Sequence, residues 1–221
     1  DDEVLRSKIT FHGLNAIVAD GEEKCPSALW FLARTSKGQQ LLKDDDDLLG
    51  KINADGLNTV MEEGNHKGKS ALWFLASSKV GRKLIIDDNN LRGKITADGL
   101  NSVIAEGEEK GRSALCCLAY FPEGRQLLID DAVLRSKITA QGLNAVLAEG
   151  EHKGLSALFC LVNSPEGQQL LNSDADLRGK ITAKGLNAFV AEGENKGISA
   201  LLLLANSYEG RQLLIEYEDL R

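Results

Sequence analysis

The chain has 221 residues, of which 43% are hydrophobic and 27% charged, and its formal net charge is −7. This composition is typical of a globular protein rather than a disordered one, and no apolar stretch is long enough to span a bilayer. The acidic balance leaves no excess of basic groups to neutralise phosphates, so we expect neither a nucleic-acid nor a membrane partner.

The first residues, Asp1-Asp2-Glu3, do not resemble a signal peptide. The four cysteines show no spacing typical of zinc ligands, and the histidines do not cluster with them. We therefore expect no metal site, no cofactor, and small buried apolar cysteines in a reducing compartment such as the cytoplasm. These cysteines are Cys25, Cys116, Cys117 and Cys160.

The strongest signal is an internal repeat, because the triplet Gly-Leu-Asn recurs every 43 residues. Its asparagines are Asn15, Asn58, Asn101, Asn144 and Asn187. The period divides the chain into units 5–47, 48–90, 91–133, 134–176 and 177–219. A unit this short cannot bury enough surface alone. We therefore expect the copies to stack into one domain, 1–221, instead of folding as separate globules.

The terminal copies resemble the middle ones, although the ends of a repeat stack usually carry a polar outer face. The pair Leu220-Arg221 also opens a sixth copy. We therefore expect a segment of a longer array, or ends that associate with another chain. A complete protein with weak caps is the alternative.

Three helices are predicted in each unit, as the fourth copy illustrates. The first covers 140–149, between an N-cap at Thr139 and a helix stop at Gly150. The second covers 157–162 after the N-cap Ser156, and because it is apolar almost all round it should be the buried inner helix. A buried strand is the alternative reading of that run.

The third predicted helix begins with Ser164-Pro165-Glu166, an N-cap, a first-turn proline and an acidic first turn. Gly167 would weaken this helix, so we expect a neighbouring helix to approach closely there. The residues 177–180 that follow can hold a short extra turn. Three helices leave no room for a sheet, so the predicted fold is all-α, a right-handed superhelical solenoid.

The segments 28–33 and 71–76, both Ala-Leu-Trp-Phe-Leu-Ala, resemble the third helix of armadillo repeats, a type of α-solenoid related to HEAT repeats. Segment 123–130 is similar to the short first helix, and 138–149 stands for the second. The resemblance implies a three-helix unit and binding of extended peptides by a Trp with an Asn four residues later. No copy carries both of these residues. The segment 111–115, Gly-Arg-Ser-Ala-Leu, resembles ankyrin repeats, which are the alternative.

Two sets of residues are candidates for binding. The repeated asparagines could bond a bound peptide, but their presence in every copy favours a structural role at a helix end or loop of the next copy. Specificity should instead lie where the copies differ. The candidate partner-binding residues are Trp30, Arg34, Trp73, Ser77, Tyr120, Asn163 and Asn206. A second variable row comprises His12, Asp55, Asp98, Gln141 and Lys184.

No catalytic constellation stands out, so the chain is not expected to be an enzyme. The predicted function is a protein–protein interaction scaffold that binds a protein or peptide along one extended face. Three alternatives remain: a structural spacer or self-associating array, a small-molecule or enzymatic role, and a scaffold for a domain outside this segment.

Overall fold

The computed structural model describes residues 7–17, 27–64 and 66–217. Over these residues it contains nineteen helices and no strand, which confirms the predicted all-α class. None of these helices is both long and apolar enough to cross a membrane. Three predictions depend on residues that lie outside the described ranges, namely Asp1-Asp2-Glu3, Cys25 and Leu220-Arg221.

The chain forms two compact units, Asp1–Leu100 and Asn101–Arg221. The stacking of all copies into one domain stays a prediction. Two kinds of short helix recur in both units. The Asn helices end on the Asn of Gly-Leu-Asn and are α1 (Phe11–Asn15), α5 (Ala54–Asn58), α9 (Ala97–Asn101), α13 (Ala140–Asn144) and α17 (Ala183–Asn187). The corner helices are α4 (Asp46–Gly50), α8 (Asn89–Gly93), α12 (Ala132–Ser136) and α16 (Ala175–Gly179).

Two longer kinds of helix alternate with these. The apolar helices are α2 (Ala28–Arg34), α6 (Ala71–Ser77), α10 (Ala114–Tyr120), α14 (Ala157–Val162) and α18 (Ala200–Asn206). The long helices are α3 (Ser36–Asp44), α7 (Lys79–Asp87), α11 (Pro122–Asp130), α15 (Pro165–Ser173) and α19 (Tyr208–Glu216). A corner helix follows the long helix in the first four copies, because the short extra turn predicted at 177–180 is a helix over Ala175–Gly179 and recurs at the equivalent positions.

Side-chain caps begin most of these helices, as the sequence predicts. Thr139 Oγ1 accepts a hydrogen bond of 3.0 Å from Gly142 N, and Ser156 Oγ accepts one of 3.0 Å from Phe159 N. Ser164 Oγ accepts one of 3.1 Å from Gly167 N. Such bonds satisfy backbone donors that a helix leaves unpaired in its first turn.

The predicted helix 140–149 is wrong in length, because α13 ends at Asn144. Ala145 is extended, with φ −61° and ψ 128°, and the next residues form a narrow hairpin in which Leu147 N donates to Leu155 O at 2.8 Å. Gly150 takes φ +79° in the turn of this hairpin instead of stopping a helix. The Asn144 side chain bonds the backbone at the helix end and so offers an alternative to further helical turns.

Helices of the same kind pack on each other within each unit. In the first unit α2 contacts α6 and α3 contacts α7, and in the second α14 contacts both α10 and α18. All six residues of α14 are buried, so it is the predicted inner helix and not a strand. Burial of these apolar faces stabilises helices that are too short to persist alone.

The close approach of a neighbouring helix that the sequence predicts at Gly167 is confirmed. A Cβ at this position would lie less than 3.0 Å from the carbonyl oxygen of Leu161 in α14, a separation that real Cβ atoms do not adopt. The missing side chain therefore lets α15 lie directly against the last turn of α14, and it outweighs the weak helix propensity of glycine.

We expect Gly167→Ala to destabilise the protein by about 2 kcal/mol, because the backbone of α14 must shift to admit the methyl group. Gly179→Ala is the matched control, since no atom lies within 4 Å of a Cβ there. That change should be neutral or stabilise by up to about 1 kcal/mol. Urea denaturation measures both values, and equal effects would contradict this packing.

Candidate functional site

The Asn144 side chain joins two backbone segments of the second unit. Its Nδ2 donates to Ala140 O at 2.7 Å and to Lys180 O at 2.8 Å. Its Oδ1 accepts from Thr182 N at 3.0 Å. One side chain thus fixes the end of α13 against the loop that precedes α17.

The same pair of forward bonds recurs at three other asparagines. Asn58 donates to Lys94 O at 2.8 Å and accepts from Thr96 N at 3.0 Å. The remaining pairs are Asn15 with Lys51 O at 2.7 Å and Asn53 N at 2.9 Å, and Asn101 with Lys137 O at 2.8 Å and Thr139 N at 3.0 Å. The structural interpretation of the asparagines predicts such bonds to a loop of the following copy. A role in binding a peptide backbone would require these same polar atoms.

The glycine of the triplet provides the space for this contact. A Cβ at Gly142 would collide with Oδ1 of Asn101, and a Cβ at Gly185 would collide with Oδ1 of Asn144. Each of the three middle Gly-Leu-Asn triplets therefore contains an asparagine that reaches to the next triplet and a glycine that receives the previous asparagine. This reciprocal contact explains why both residues recur together.

Asn187 differs from the other four asparagines. Its Nδ2 donates to Ala183 O of its own helix at 2.9 Å. Its Oδ1 makes no hydrogen bond within the described part of the chain, and the residue is exposed. The forward contact that the other asparagines make is therefore missing here.

The candidate partner-binding residues fall into two groups. Trp30 and Trp73 are buried within the first unit. The others lie at or next to the last residue of an apolar helix, where Arg34, Asn163 and Asn206 are exposed and Ser77 and Tyr120 are half-buried. The exposed end positions are the ones that a partner could reach.

An aromatic group surrounds Trp30 in the first unit, and we call it the Trp30 cluster. The Trp30 ring meets the rings of Phe31, His66 and Phe74 edge to face at centroid distances of 5.2, 5.3 and 5.0 Å. The guanidinium carbon of Arg34 lies 5.6 Å from the Trp30 centroid. About half of the Phe31 side chain is exposed, so the cluster presents an aromatic surface beside a cation.

His66 lies in this cluster with an unsatisfied polar atom. Its Nδ1 is buried and has no hydrogen-bond partner among the residues that the structure describes. Burial, together with the nearby charges of Arg34 and Lys69, lowers the pKa of His66. The imidazole is therefore held in its neutral form more strongly than a histidine in water.

A smaller counterpart occurs in the second unit. The Tyr120 ring lies 5.0 Å from the Phe121 ring and 5.2 Å from the His152 ring. The guanidinium carbon of Arg112 is 6.0 Å from the Tyr120 centroid, and Arg112 Nη1 also pairs with Glu109 Oε2 at 2.8 Å. Each unit thus places aromatic rings beside an arginine, although the residues differ.

The second variable row contributes to an open cleft of about 260 Å³ in the first unit. His12 and Asp55 both line it, together with Phe11 and Asn15. No group of three or more potential metal ligands occurs in the ranges that the structure describes. The cleft therefore offers polar contacts beside exposed apolar surface.

Three of the four cysteines are buried and form no disulfide, as predicted for small apolar residues, whereas Cys25 is outside the described residues. Burial raises the pKa of the Cys117 thiol to about 12. A hydrogen bond with Cys160 and burial raise the pKa of Cys116. These two thiols are protonated at neutral pH and are poor nucleophiles.

No protein-family model matches the chain, and no match is found among curated proteins or solved structures. The resemblance to armadillo repeats stays a prediction.

Replacing Asn144 by Ala should destabilise the protein by about 2 kcal/mol, because Lys180 O and Thr182 N both lose their partner. Asn187→Ala is the matched control and should cost less than about 1 kcal/mol, since it removes a single bond to Ala183. Urea denaturation at low protein concentration measures the difference. Similar losses for the two variants would show that the forward bonds contribute little.

His66 should make stability depend on pH. Its pKa is lower in the folded protein than the ordinary value of 6.5, so the unfolded chain binds more protons around that pH. The free energy of unfolding that depends on neutral His66 is therefore fully present above pH 6.5. It declines as the pH falls below that value. In His66→Gln the decline between about pH 7.5 and 5.5 should become shallower. Denaturation midpoints across this range test the prediction, with His12→Gln, at an exposed site, as the control; an unchanged slope in His66→Gln would refute it.

Proposed function

We propose that the chain is a repeat scaffold that binds a partner protein or peptide without enzymatic chemistry. The fold we propose is a right-handed superhelical stack of 43-residue copies similar to armadillo repeats. The observation that carries the proposal is that the residue at the end of the apolar helix varies between copies, while the Asn contacts repeat. The end residue is Arg34, Ser77 or Tyr120 in the first three copies and an asparagine in the last two. A constant frame with variable surface positions is the arrangement by which repeat proteins recognise extended partners.

The recurring hydrogen bonds support this separation of roles. Asn15 and Asn58 make the same forward bonds in the first unit that Asn101 and Asn144 make in the second. Substitutions at the apolar-helix ends leave these bonds untouched. The surface can therefore vary from copy to copy without loss of the frame.

The side chains at the helix ends indicate the chemistry of the partner. In the first unit, exposed Phe31 and the cationic Arg34 fit a segment with an acidic and an aromatic or apolar side chain. In the second unit, the exposed amides of Asn163 and Asn206 can each donate to and accept from a peptide backbone. The proposed ligand is thus an extended acidic segment with apolar anchors, and buried reduced thiols fit a cytoplasmic setting.

A displayed library of random peptides, selected on the wild-type chain, tests the proposal. Selected peptides should be enriched in Asp, Glu and aromatic residues. Arg34→Ser and Tyr120→Ser should each weaken their binding at least about tenfold, because each removes a side chain that the proposed partner contacts. Serine is a suitable replacement because the chain itself carries it at the equivalent position, Ser77.

Lys83→Ser, at an exposed position of α7, is the control and should leave the affinity unchanged. Thermal denaturation should show that all three variants are folded. Backbone amide shifts on peptide addition should concentrate at the apolar-helix ends. Failure to select any binder, or shifts confined to the corner helices, would refute the proposal.

A further inference from the structure

The last helices of the second unit lack the neighbour that equivalent side chains have elsewhere. Leu202 in α18 is 51% exposed. The four residues at the equivalent position are Trp30, Trp73, Cys116 and Phe159, which are 2–6% exposed. Within the described ranges, Asn187 in α17 also makes no forward bonds. An apolar contact and a polar contact are therefore missing from the same end of this unit.

The first helices of the first unit have the complementary gaps. A Cβ at Gly13 would lie near Thr10 Oγ1, at 3.2 Å, and near no asparagine, unlike the triplet glycines that follow it. Within the described ranges, neither Thr10 N nor Lys8 O makes a hydrogen bond. Phe31 is 49% exposed, although Cys117 and Cys160 at the equivalent position are buried.

The groups without a partner at the two ends correspond to pairs of groups that contact each other elsewhere in the repeat. Asn15 bonds Lys51 O and Asn53 N, and 43 residues before these two groups lie Lys8 O and Thr10 N. In the first unit Trp30 packs on Phe74 with centroids 5.0 Å apart. The residues equivalent to this pair at the two gaps are Leu202 and Phe31. Each group that lacks a partner at one end thus has its counterpart at the other.

We propose that a second copy of this chain docks head to tail at these surfaces. The Asn187 Nδ2 of one copy donates to Lys8 O of the next, and its Oδ1 accepts from Thr10 N in the space above Gly13. Leu202 packs on Phe31 of the second copy. The junction reproduces the contact that the Asn helices already make four times within the two units.

The two surfaces differ, so the contact is heterologous. Association is therefore expected to join one surface of each kind from two copies and to increase with concentration. It shares Phe31 with the proposed partner surface but involves none of the end positions Arg34, Tyr120 and Asn163. Arg34→Ser and Tyr120→Ser should therefore weaken peptide binding and leave self-association unchanged, so the two proposals can be tested separately.

Sedimentation velocity of the 221-residue chain, from low micromolar concentrations upward, tests the proposal. The wild type should form dimers and longer species. Gly13→Glu fills the space above Gly13, and its carboxylate can bond Thr10 N as in a capping box. Asn187→Glu removes the donor to Lys8 O. Each change should lower the association constant at least about tenfold without lowering the denaturation midpoint.

Matched controls use the same replacements elsewhere. Gly93→Glu lies where no atom is within 4 Å of a Cβ, and Asn163→Glu lies at an exposed helix end. Both should associate like the wild type. They also separate loss of this junction from a general effect of added negative charge.

A mixture of the two interface variants gives the most specific result. The Gly13→Glu chain retains a wild-type Asn187 surface, and the Asn187→Glu chain retains a wild-type Gly13 surface. Each variant alone should be monomeric, and an equal mixture should stop at a dimer. A monomeric wild type, unaltered association of the variants, or a mixture that stays monomeric would overturn the proposal.

Discussion

The structure of each unit depends on an asparagine side chain that bonds two backbone segments far apart in sequence. Asn144 bonds its own helix and the loop 36 to 38 residues later. Helices of five residues, such as α13, have no stability in isolation. Their ends are held because one planar amide satisfies a donor and two acceptors at once. The glycine of the next triplet is required because only a residue without a Cβ admits that amide.

Local signals in the sequence predict much of this fold. The caps at Thr139, Ser156 and Ser164, and the close approach at Gly167, follow from residue chemistry over three or four positions. The end of α13 does not, because residues 145–149 have helical periodicity and Gly150 can stop a helix as readily as it can take positive φ in a hairpin. The deciding contact joins Asn144 to residues that no local pattern connects with it.

The candidate site shows a similar division. Variation between copies identifies the end positions Arg34, Tyr120 and Asn163, of which Arg34 and Asn163 are exposed and Tyr120 is half-buried. It could not distinguish them from Trp30, because a helix that is apolar almost all round has no obvious outer face. The approach of His66 to Trp30 was also missed, since the two residues are 36 positions apart and belong to different copies. Recurrence in the sequence distinguishes the repeated asparagines from the variable surface positions. It does not predict which side chains a surface residue contacts, because those contacts depend on how the helices pack.

Hydrogen exchange of backbone amides, measured at a dilution where the chain is monomeric, tests the central role of the asparagine most directly. The N–H groups of Asn53, Thr96, Thr139 and Thr182 donate to an asparagine, whereas Thr10 N, at the equivalent position, does not. We expect slow exchange at these four amides and fast exchange at Thr10. Equal exchange rates at all five positions would show that the asparagines do not hold these segments.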